Sequence, residues 1–183
     1  MITELSYENL DDVINPNRGA SFSTSYSWQA NLGDSNEKFG KFSSSLAFYI
    51  STRNKSPLTF ATKFSFETIG QDAPFYFLPQ IGQDNGLRAF RPERFRGQTS
   101  YFQMTDLRWE IFNSDNVVVP FSFGIFGGFD YGRVWQSGEE SDTWHTSMGG
   151  GFWIAPLDFI VLSFGIHQSE ESSLFKFGVG HNF

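Results

Sequence analysis

Residues 20–32, Ala-Ser-Phe-Ser-Thr-Ser-Tyr-Ser-Trp-Gln-Ala-Asn-Leu, show the pattern that decides the fold class. Aromatic or aliphatic side chains occupy most even positions, for example Phe22, Tyr26 and Trp28, whereas the odd positions carry Ser, Gln or Asn. Successive side chains of a β-strand point to opposite faces. The stretch therefore predicts a strand with one apolar face and one small, polar face.

The same two-residue period recurs in seven further segments. They are 39–50, 58–68, 101–111, 117–129, 144–154, 158–166 and 174–183. Together the segments predict an all-β, antiparallel protein of about eight strands, and no segment shows a convincing helical period. Residues 1–18 are predicted to form a turn or the end of a preceding strand.

Composition narrows the class of protein. The 183 residues include 23 Phe, 6 Tyr and 5 Trp, yet the mean hydropathy is only −0.30. The net charge of −7 argues against a nucleic-acid partner, and the absence of cysteine excludes disulfides and cysteine-based metal sites. The sequence contains no run of about 18 apolar residues, so it predicts no membrane-spanning helix. No secretory signal peptide follows Met1, so we expect either a protein that is not exported or a chain without its true N-terminus.

The chemistry of the two faces predicts a transmembrane β-barrel. A soluble barrel would carry many charges outside, but the non-aromatic face is mostly Ser, Gly, Thr and Asn, which suits the lumen of an outer-membrane barrel. Aromatic residues near strand ends match the girdles at the two membrane interfaces; they are Trp28, Tyr49, Tyr101, Trp144 and Trp153. Longer and shorter connections also alternate along most of the chain, as outer loops and periplasmic turns do. We therefore favour a membrane barrel over a soluble one.

Residues 70–98 form the longest predicted connection, and a loop of about 29 residues is usually functional or disordered. Its second half holds four arginines, at positions 88, 91, 94 and 96. One interpretation is a solvated cationic loop or an anion-binding patch, for example for a lipid A phosphate. The other is that one arginine folds into the barrel and binds carboxylates bidentately. Asp106 and Asp130 have the inward parity that this second interpretation needs.

Six short motifs occur in a recognisable order over nearly the whole chain. They are Asn-Pro-Asn-Arg-Gly at 15–19, Leu-Arg-Ala-Phe at 87–90, Thr-Asp-Leu-Arg at 105–108, Phe-Asp-Tyr-Gly-Arg-Val-Trp at 129–135, Ser-Met-Gly-Gly-Gly-Phe at 147–152 and the alternating aromatic segment 175–183. In this order the motifs resemble the C-terminal barrel region of the bacterial surface antigen superfamily, the BamA/TamA-type outer-membrane barrels. The sequence departs from the family at Ala89, where Gly is usual, and at Asp106, where Glu is commoner.

The resemblance implies that the loop motif Leu87-Arg88-Ala89-Phe90 folds into the lumen and that Arg88 binds Asp106 and Asp130. The methyl group of Ala89 is expected to alter the tight turn, and the shorter Asp106 must reach further. The family barrel has sixteen strands, so residues 1–183 would be the C-terminal half, with the N-terminal barrel half and periplasmic POTRA domains outside this chain.

The last strand, 174–183, would close the family barrel against the first strand through a weak lateral seam. The residues that the resemblance assigns to this seam are Phe175, Phe177, Gly178, Gly180 and Phe183. Interior glycines weaken a strand because they cost entropy and pack nothing. Gly178 and Gly180 are alternatively explained as residues that leave room in the lumen, and the sequence does not separate the two interpretations.

The implied function is insertion, assembly or translocation of proteins at the bacterial outer membrane. Its partners would be outer-membrane lipid and unfolded or nascent outer-membrane or secreted proteins. The alternative is a self-contained eight-stranded barrel that serves as an anchor, adhesin or lipid-binding protein. We expect no enzyme, metal or cofactor, because His145 and Ser147 lie about 7 Å apart along one face and the three histidines lack metal-ligand spacing. The alternation of the last strand predicts that His181 faces the lipid.

Overall fold

A computed structural model describes residues 1–30, 38–114, 120–138, 142–157 and 159–181. Within these residues the chain forms a nine-stranded antiparallel sheet, in which the strands neighbour one another in chain order, and a separate two-stranded ribbon. The strands of the sheet are β1 (Ile2–Leu10), β2 (Gly19–Ala30), β3 (Lys38–Ser51), β4 (Leu58–Ile69), β7 (Thr99–Ser114), β8 (Phe121–Trp135), β9 (His145–Pro156), β10 (Leu162–Gln168) and β11 (Ser173–Val179). The ribbon consists of β5 (Gln80–Ile81) and β6 (Phe95–Arg96). No helix in the described residues is long and apolar enough to span a membrane.

The all-β prediction is confirmed, but the sheet has nine strands rather than about eight. The additional strand is β1, which pairs with β2 over its whole length and agrees with the prediction that residues 1–18 include the end of a preceding strand. Its outward face carries Leu5 and Tyr7, whereas Glu4 and Glu8 have the opposite parity. Only two large apolar residues mark the alternation, so the segment lacks the aromatic signal of the other strands.

The boundaries of β8 also differ from the prediction. Residues 132–135 were expected to begin a connection, but they continue the strand, because Arg133 and Trp135 keep the outward parity while Gly132 and Val134 keep the inward one. They pair with the first residues of β7. Other predicted strand positions, 31–32, 117–119, 158 and 182–183, lie outside the described residues.

The sheet exposes its apolar side chains and buries its polar ones. Ile166 on the outward face is 61% exposed, whereas Asp130 and Ser147 on the inward face are 0% and 2% exposed. This distribution is the reverse of a soluble core and is the one that a lipid-facing barrel wall requires. The large apolar residues therefore lie where acyl chains would surround them.

The inward face of β1 to β4 is a wall of hydroxyl groups. Strand register aligns one row of serines across four strands, Ser6, Ser23, Ser45 and Ser65. Beside this row, the Lys41 ammonium lies 2.9 Å from the Glu67 carboxylate. These groups give this part of the lumen a polar lining.

The long connection between β4 and β7 folds against the inner wall and brings its own apolar cluster into the lumen. Leu87 and Phe90 of the connection pack with Ile81 of β5 and with Phe102 and Met104 of β7. A Cβ at Gly86 would lie 2.6 Å from the Phe102 Cβ, so this contact requires glycine. The connection is thus a packed part of the fold rather than a solvated loop.

The sheet has two open edges within the described residues. β1 is hydrogen-bonded only to β2, and β11 only to β10. The sheet therefore does not close on itself, as expected of part of a larger barrel.

A charge on the outward face should destabilise the fold far more than the same charge on the inner wall. Ile166→Arg is expected to lower the free energy of unfolding in lipid vesicles by about 2–4 kcal/mol, the cost of an arginine near the middle of a bilayer. Ser25→Arg is the matched control, because Ser25 faces the lumen opposite Glu4 in the register of β1 and β2. Urea titration followed by tryptophan fluorescence measures both variants, and equal losses would contradict the assignment of the faces.

Candidate functional site

The inner wall of β7 and β8 presents two carboxylates side by side. Asp106 lies opposite Gly128 in the register of these strands, and Asp130 lies opposite Met104. The carboxylates are therefore on adjacent strands and two positions apart along them. Both side chains are buried.

Arg88 fills the space between the two carboxylates. Its Nη2 lies 2.6 Å from Asp130 Oδ1, its Nε donates to both oxygens of Asp130 at 3.1 and 3.0 Å, and its Nη1 lies 2.7 Å from Asp106 Oδ1. The backbone N–H of Arg88 also donates to Asp130 Oδ2 at 3.2 Å. The structure thus brings together the three residues that the family resemblance links.

Two further polar residues complete the cluster. Ser147 on β9 donates from its hydroxyl to Asp130 Oδ2 at 2.6 Å, and Arg108 Nη2 lies 3.8 Å from Asp106 Oδ2. The cluster therefore contains two buried arginines and two buried aspartates, so its formal charges balance. Neither Arg108 nor Ser147 was predicted to belong to the site. The signal for Arg108 was its position two residues after Asp106, which puts both on one face of the strand.

Glycines create the space that the guanidinium occupies. In the register across four strands, Asp106, Gly128, Gly149 and His167 form one row. A Cβ at Gly128 would overlap Arg88 Nη2 and lie 2.6 Å from Asp106 Oδ1, and a Cβ at Gly149 would lie 2.5 Å from His167 Nδ1. The two glycines therefore form a groove in the inner wall, with Asp106 at one end and His167 at the other.

The electrostatics of the cluster keep Arg88 charged. Burial alone lowers the pKa of a guanidinium, but the charges and hydrogen bonds of Asp106 and Asp130 outweigh burial and raise the pKa of Arg88 above its ordinary value. Removal of one partner from a buried ion pair of this kind strongly destabilises the folded protein, because the other charge is left uncompensated. The cluster is therefore suited to holding the connection in one position.

The connection is also fastened to the β10–β11 hairpin. The hydroxyls of Ser169 and Ser172 donate to the Ala89 carbonyl oxygen at 3.1 and 2.7 Å. Arg94 binds Glu171 bidentately, with both N–O distances 2.8 Å, and Lys176 Nζ donates to the Gln83 carbonyl at 2.8 Å. We call these contacts the hairpin clamp. They join the lumen connection to the hairpin that carries the last strand.

The two departures from the family motif are accommodated locally. Ala89 does not adopt the left-handed backbone conformation, so its methyl group does not strain the turn. The turn itself is closed by a hydrogen bond from the Phe90 N–H to the Leu87 carbonyl at 3.1 Å. Asp106 reaches Arg88 at 2.7 Å despite its shorter side chain.

The last strand ends in a turn that gives His181 a different position from the predicted one. Gly180 has a φ of +88°, a conformation that favours glycine. Its N–H donates to the Val161 carbonyl at 2.7 Å. The turn redirects His181 inward, where its ring lies 5.3 Å from Trp153 and its Nε2 lies 2.7 Å from Asn15 Oδ1. The predicted lipid-facing position of His181 is wrong, because strand alternation does not continue through a left-handed residue.

The other seam residues keep the pattern of β11. Phe175 and Phe177 face outward and are exposed, and Gly178 lies opposite Ser163 of β10. At Gly180 a Cβ would meet nothing within 4 Å, so backbone conformation rather than lack of space requires glycine there. Phe183 lies outside the described residues.

A family model described as the Omp85 superfamily domain matches residues 1–183. The chain belongs to the Omp85 superfamily. It is therefore an outer-membrane β-barrel protein, or the part of one that these residues represent. No curated protein and no solved structure matches the chain. The family assignment agrees with the resemblance to bacterial surface antigen barrels.

The Omp85 chain should not tolerate a methyl group in the glycine groove. Gly128→Ala is expected to displace Arg88 and to lower the free energy of unfolding by about 3–5 kcal/mol, the range for a broken buried ion pair. Gly127→Ala is the matched control, since it lies on the opposite face and its Cβ would meet nothing closer than 4.0 Å. Thermal unfolding and limited proteolysis of residues 70–98 measure the effect. Equal behaviour of the two variants would contradict the proposed role of the groove.

The ion pairs of Arg88 and of Arg94 should differ greatly in their contribution to stability. Arg88→Ala leaves two buried carboxylates without their common partner, so we expect a loss of about 3–5 kcal/mol and rapid proteolysis of the connection. Arg94→Ala removes a pair that is exposed to solvent, and such pairs contribute about 0–1 kcal/mol. Urea titration of both variants makes the comparison, and a loss at Arg94 as large as that at Arg88 would contradict the assignment.

Proposed function

We propose that this Omp85 chain forms the C-terminal part of a barrel that inserts, assembles or translocates other proteins at the bacterial outer membrane. The supporting observation is that the lumen connection and the last hairpin are joined to each other. The lumen connection is anchored at Arg88, and the hairpin clamp joins it to the hairpin whose last strand has an open edge. A barrel that serves only as an anchor has no need of such a coupling.

The open edge of β11 is the element that would receive a client. β11 is only seven residues long and contains Gly178, so its pairing in a closed barrel would be short and weak. An unpaired strand edge offers backbone N–H and C=O groups to another strand. Addition of a strand to such an edge is a common mode of recognition for extended polypeptides. We infer that an unfolded outer-membrane or secreted protein pairs here.

The proposed role of Arg88 is to position the connection and not to react with a substrate. Ser147 directs its hydroxyl to Asp130, and the His145 ring stacks on Phe95 with centroids 3.6 Å apart. These contacts commit each group to packing or anchoring. We therefore propose that the chain is not an enzyme and that its activity lies in strand exchange.

The two open edges also determine the partners that we propose. Unpaired backbone groups are not tolerated in the hydrocarbon of a bilayer. β1 and β11 therefore need pairing partners, which we propose are strands of an N-terminal barrel half, accompanied by periplasmic POTRA domains. The open sheet favours this proposal over a self-contained eight-stranded barrel.

The proposal predicts that a client strand pairs directly with β11 in the full-length protein. These residues contain no cysteine, so, with any cysteine elsewhere in the full-length protein replaced, one introduced thiol reports one position. Phe177→Cys on the open edge is expected to form a disulfide with a cysteine in the C-terminal strand of a client during assembly. Phe164→Cys is the control, because Phe164 on β10 is already paired on both sides with Phe152 and Phe177. Non-reducing electrophoresis detects the adduct.

The outcome separates assembly from anchoring. An adduct at position 177 and none at 164 supports strand addition to β11. No adduct at 177 with any of several client cysteine positions, in a protein shown to be folded by heat-modifiability, would overturn the proposal. Equal trapping at both positions would also overturn it, since it would reflect random collision rather than pairing.

A further inference from the structure

Arg133 is a cation on the outward face of the barrel wall, near the end of β8. Arg133 has the same strand parity as Ile125 and Phe129 of β8, both of which are exposed on that face. It lies two residues before the end of the strand, next to the connection to β9. A cation on this face lies where the lipid would be, and strand pairing by itself does not require one.

Aromatic rings surround this arginine. Tyr101 is its register partner on β7, and its guanidinium carbon lies 4.9 Å from the Trp135 ring centroid and 5.9 Å from that of Trp144. Trp144 in turn lies 5.6 Å from Tyr131 and 6.0 Å from Tyr101 between ring centroids. We call Arg133 and these four aromatic residues the outer arginine site. The side chain of Arg133 is only 13% exposed, so the rings hold it against the wall.

The position of the site along the strand indicates its depth in the membrane. The connections at this end of the sheet include the long segment between β4 and β7, and long loops mark the outer side of such barrels. Clusters of Trp and Tyr lie at the level of the lipid headgroups. The outer arginine site is therefore at the headgroup level of the outer leaflet.

The chemistry of the site matches a phosphate group. A guanidinium binds phosphate through two parallel hydrogen bonds, and stacking on indole rings restricts its orientation beforehand. One polar contact at the site is with the Asp142 carboxylate, whose Oδ1 accepts from Arg133 Nη2 at 2.9 Å. The Asp142 side chain is 98% exposed, so a ligand can displace it without unpacking the wall.

We propose that the outer arginine site binds a phosphate group of the phosphorylated glycolipid in the outer leaflet, a lipid of the lipid A class. The acyl chains of such a lipid would lie along the exposed apolar face below the site. Its phosphate would replace the Asp142 carboxylate beside Arg133. This inference requires only a barrel in the outer membrane, so it does not depend on the proposed assembly role.

Binding of lipid A to the folded full-length protein in detergent tests the site. Arg133→Gln is expected to weaken binding at least about tenfold, the effect of losing a charge-assisted hydrogen bond. Arg91→Gln is the matched control, since it removes the same charge from an exposed position in the connection. Native mass spectrometry and tryptophan fluorescence, for which Trp135 and Trp144 are local probes, measure the dissociation constants.

Two ligand comparisons identify the source of the phosphate. Lipid A with both phosphates removed should bind the wild-type protein as weakly as intact lipid A binds the Arg133→Gln variant. Inorganic phosphate at millimolar concentration should not displace lipid A. Displacement by inorganic phosphate would show a site for free anions and would overturn the lipid assignment, as would equal affinity for the two lipids.

A second variant keeps the test decisive if Arg133→Gln fails to fold. Asp142→Asn removes the competing carboxylate at a solvent-exposed position, so folding should be unaffected and lipid A should bind more tightly. Unchanged or weaker binding by this variant would overturn the proposal. Equal affinity of folded Arg133→Gln and wild-type protein would do the same and would leave the arginine as a structural cap on the aromatic rings.

Discussion

The buried ion pairs of Arg88 with Asp106 and Asp130 are the interaction on which the rest of the structure depends. They hold a connection of about 30 residues inside a polar lumen, where there is little apolar surface to retain it. The apolar cluster around Leu87 and Phe90 packs beside this anchor, because Leu87, Arg88 and Phe90 are close neighbours in one turn. Charge balance with Arg108 makes the burial of four charges tolerable.

The anchor has mechanical consequences beyond its immediate neighbours. Through the Ala89 carbonyl and the Arg94–Glu171 pair, the connection that carries Arg88 is tied to the β10–β11 hairpin. The last strand is thus held both by its pairing with β10 and by the contacts of this hairpin with the connection. A polypeptide in the lumen that displaced the connection would also disturb the hairpin, and the proposed assembly role relies on this coupling.

Glycines create the space within this wall, because they have no side chain. Gly128 and Gly149 leave room for the guanidinium and for the imidazole of His167. Gly180 has a different role, since it sets a backbone direction and sends His181 inward. The sequence showed a glycine-rich segment at 147–152 and glycines in the last strand, but it did not separate glycines that make room from glycines that turn the chain. The difference depends on which atoms lie opposite, and these come from other strands.

The sequence by itself determined the all-β class, most strand positions, most of the lipid-facing and lumen-facing residues, and the inward parity of both carboxylates; Trp153, predicted at the membrane interface, is instead buried on the inward face. Each of these follows from the two-residue period of a strand, which is a local property. Tertiary structure decided that β1 is a strand, that Ser147 and Arg108 join the anchor, and that His181 faces inward. It also placed Arg88 in the site by contacts such as that with Asp130, 42 residues away. Register and loop path are set by contacts between distant residues, and a local period contains no information about them.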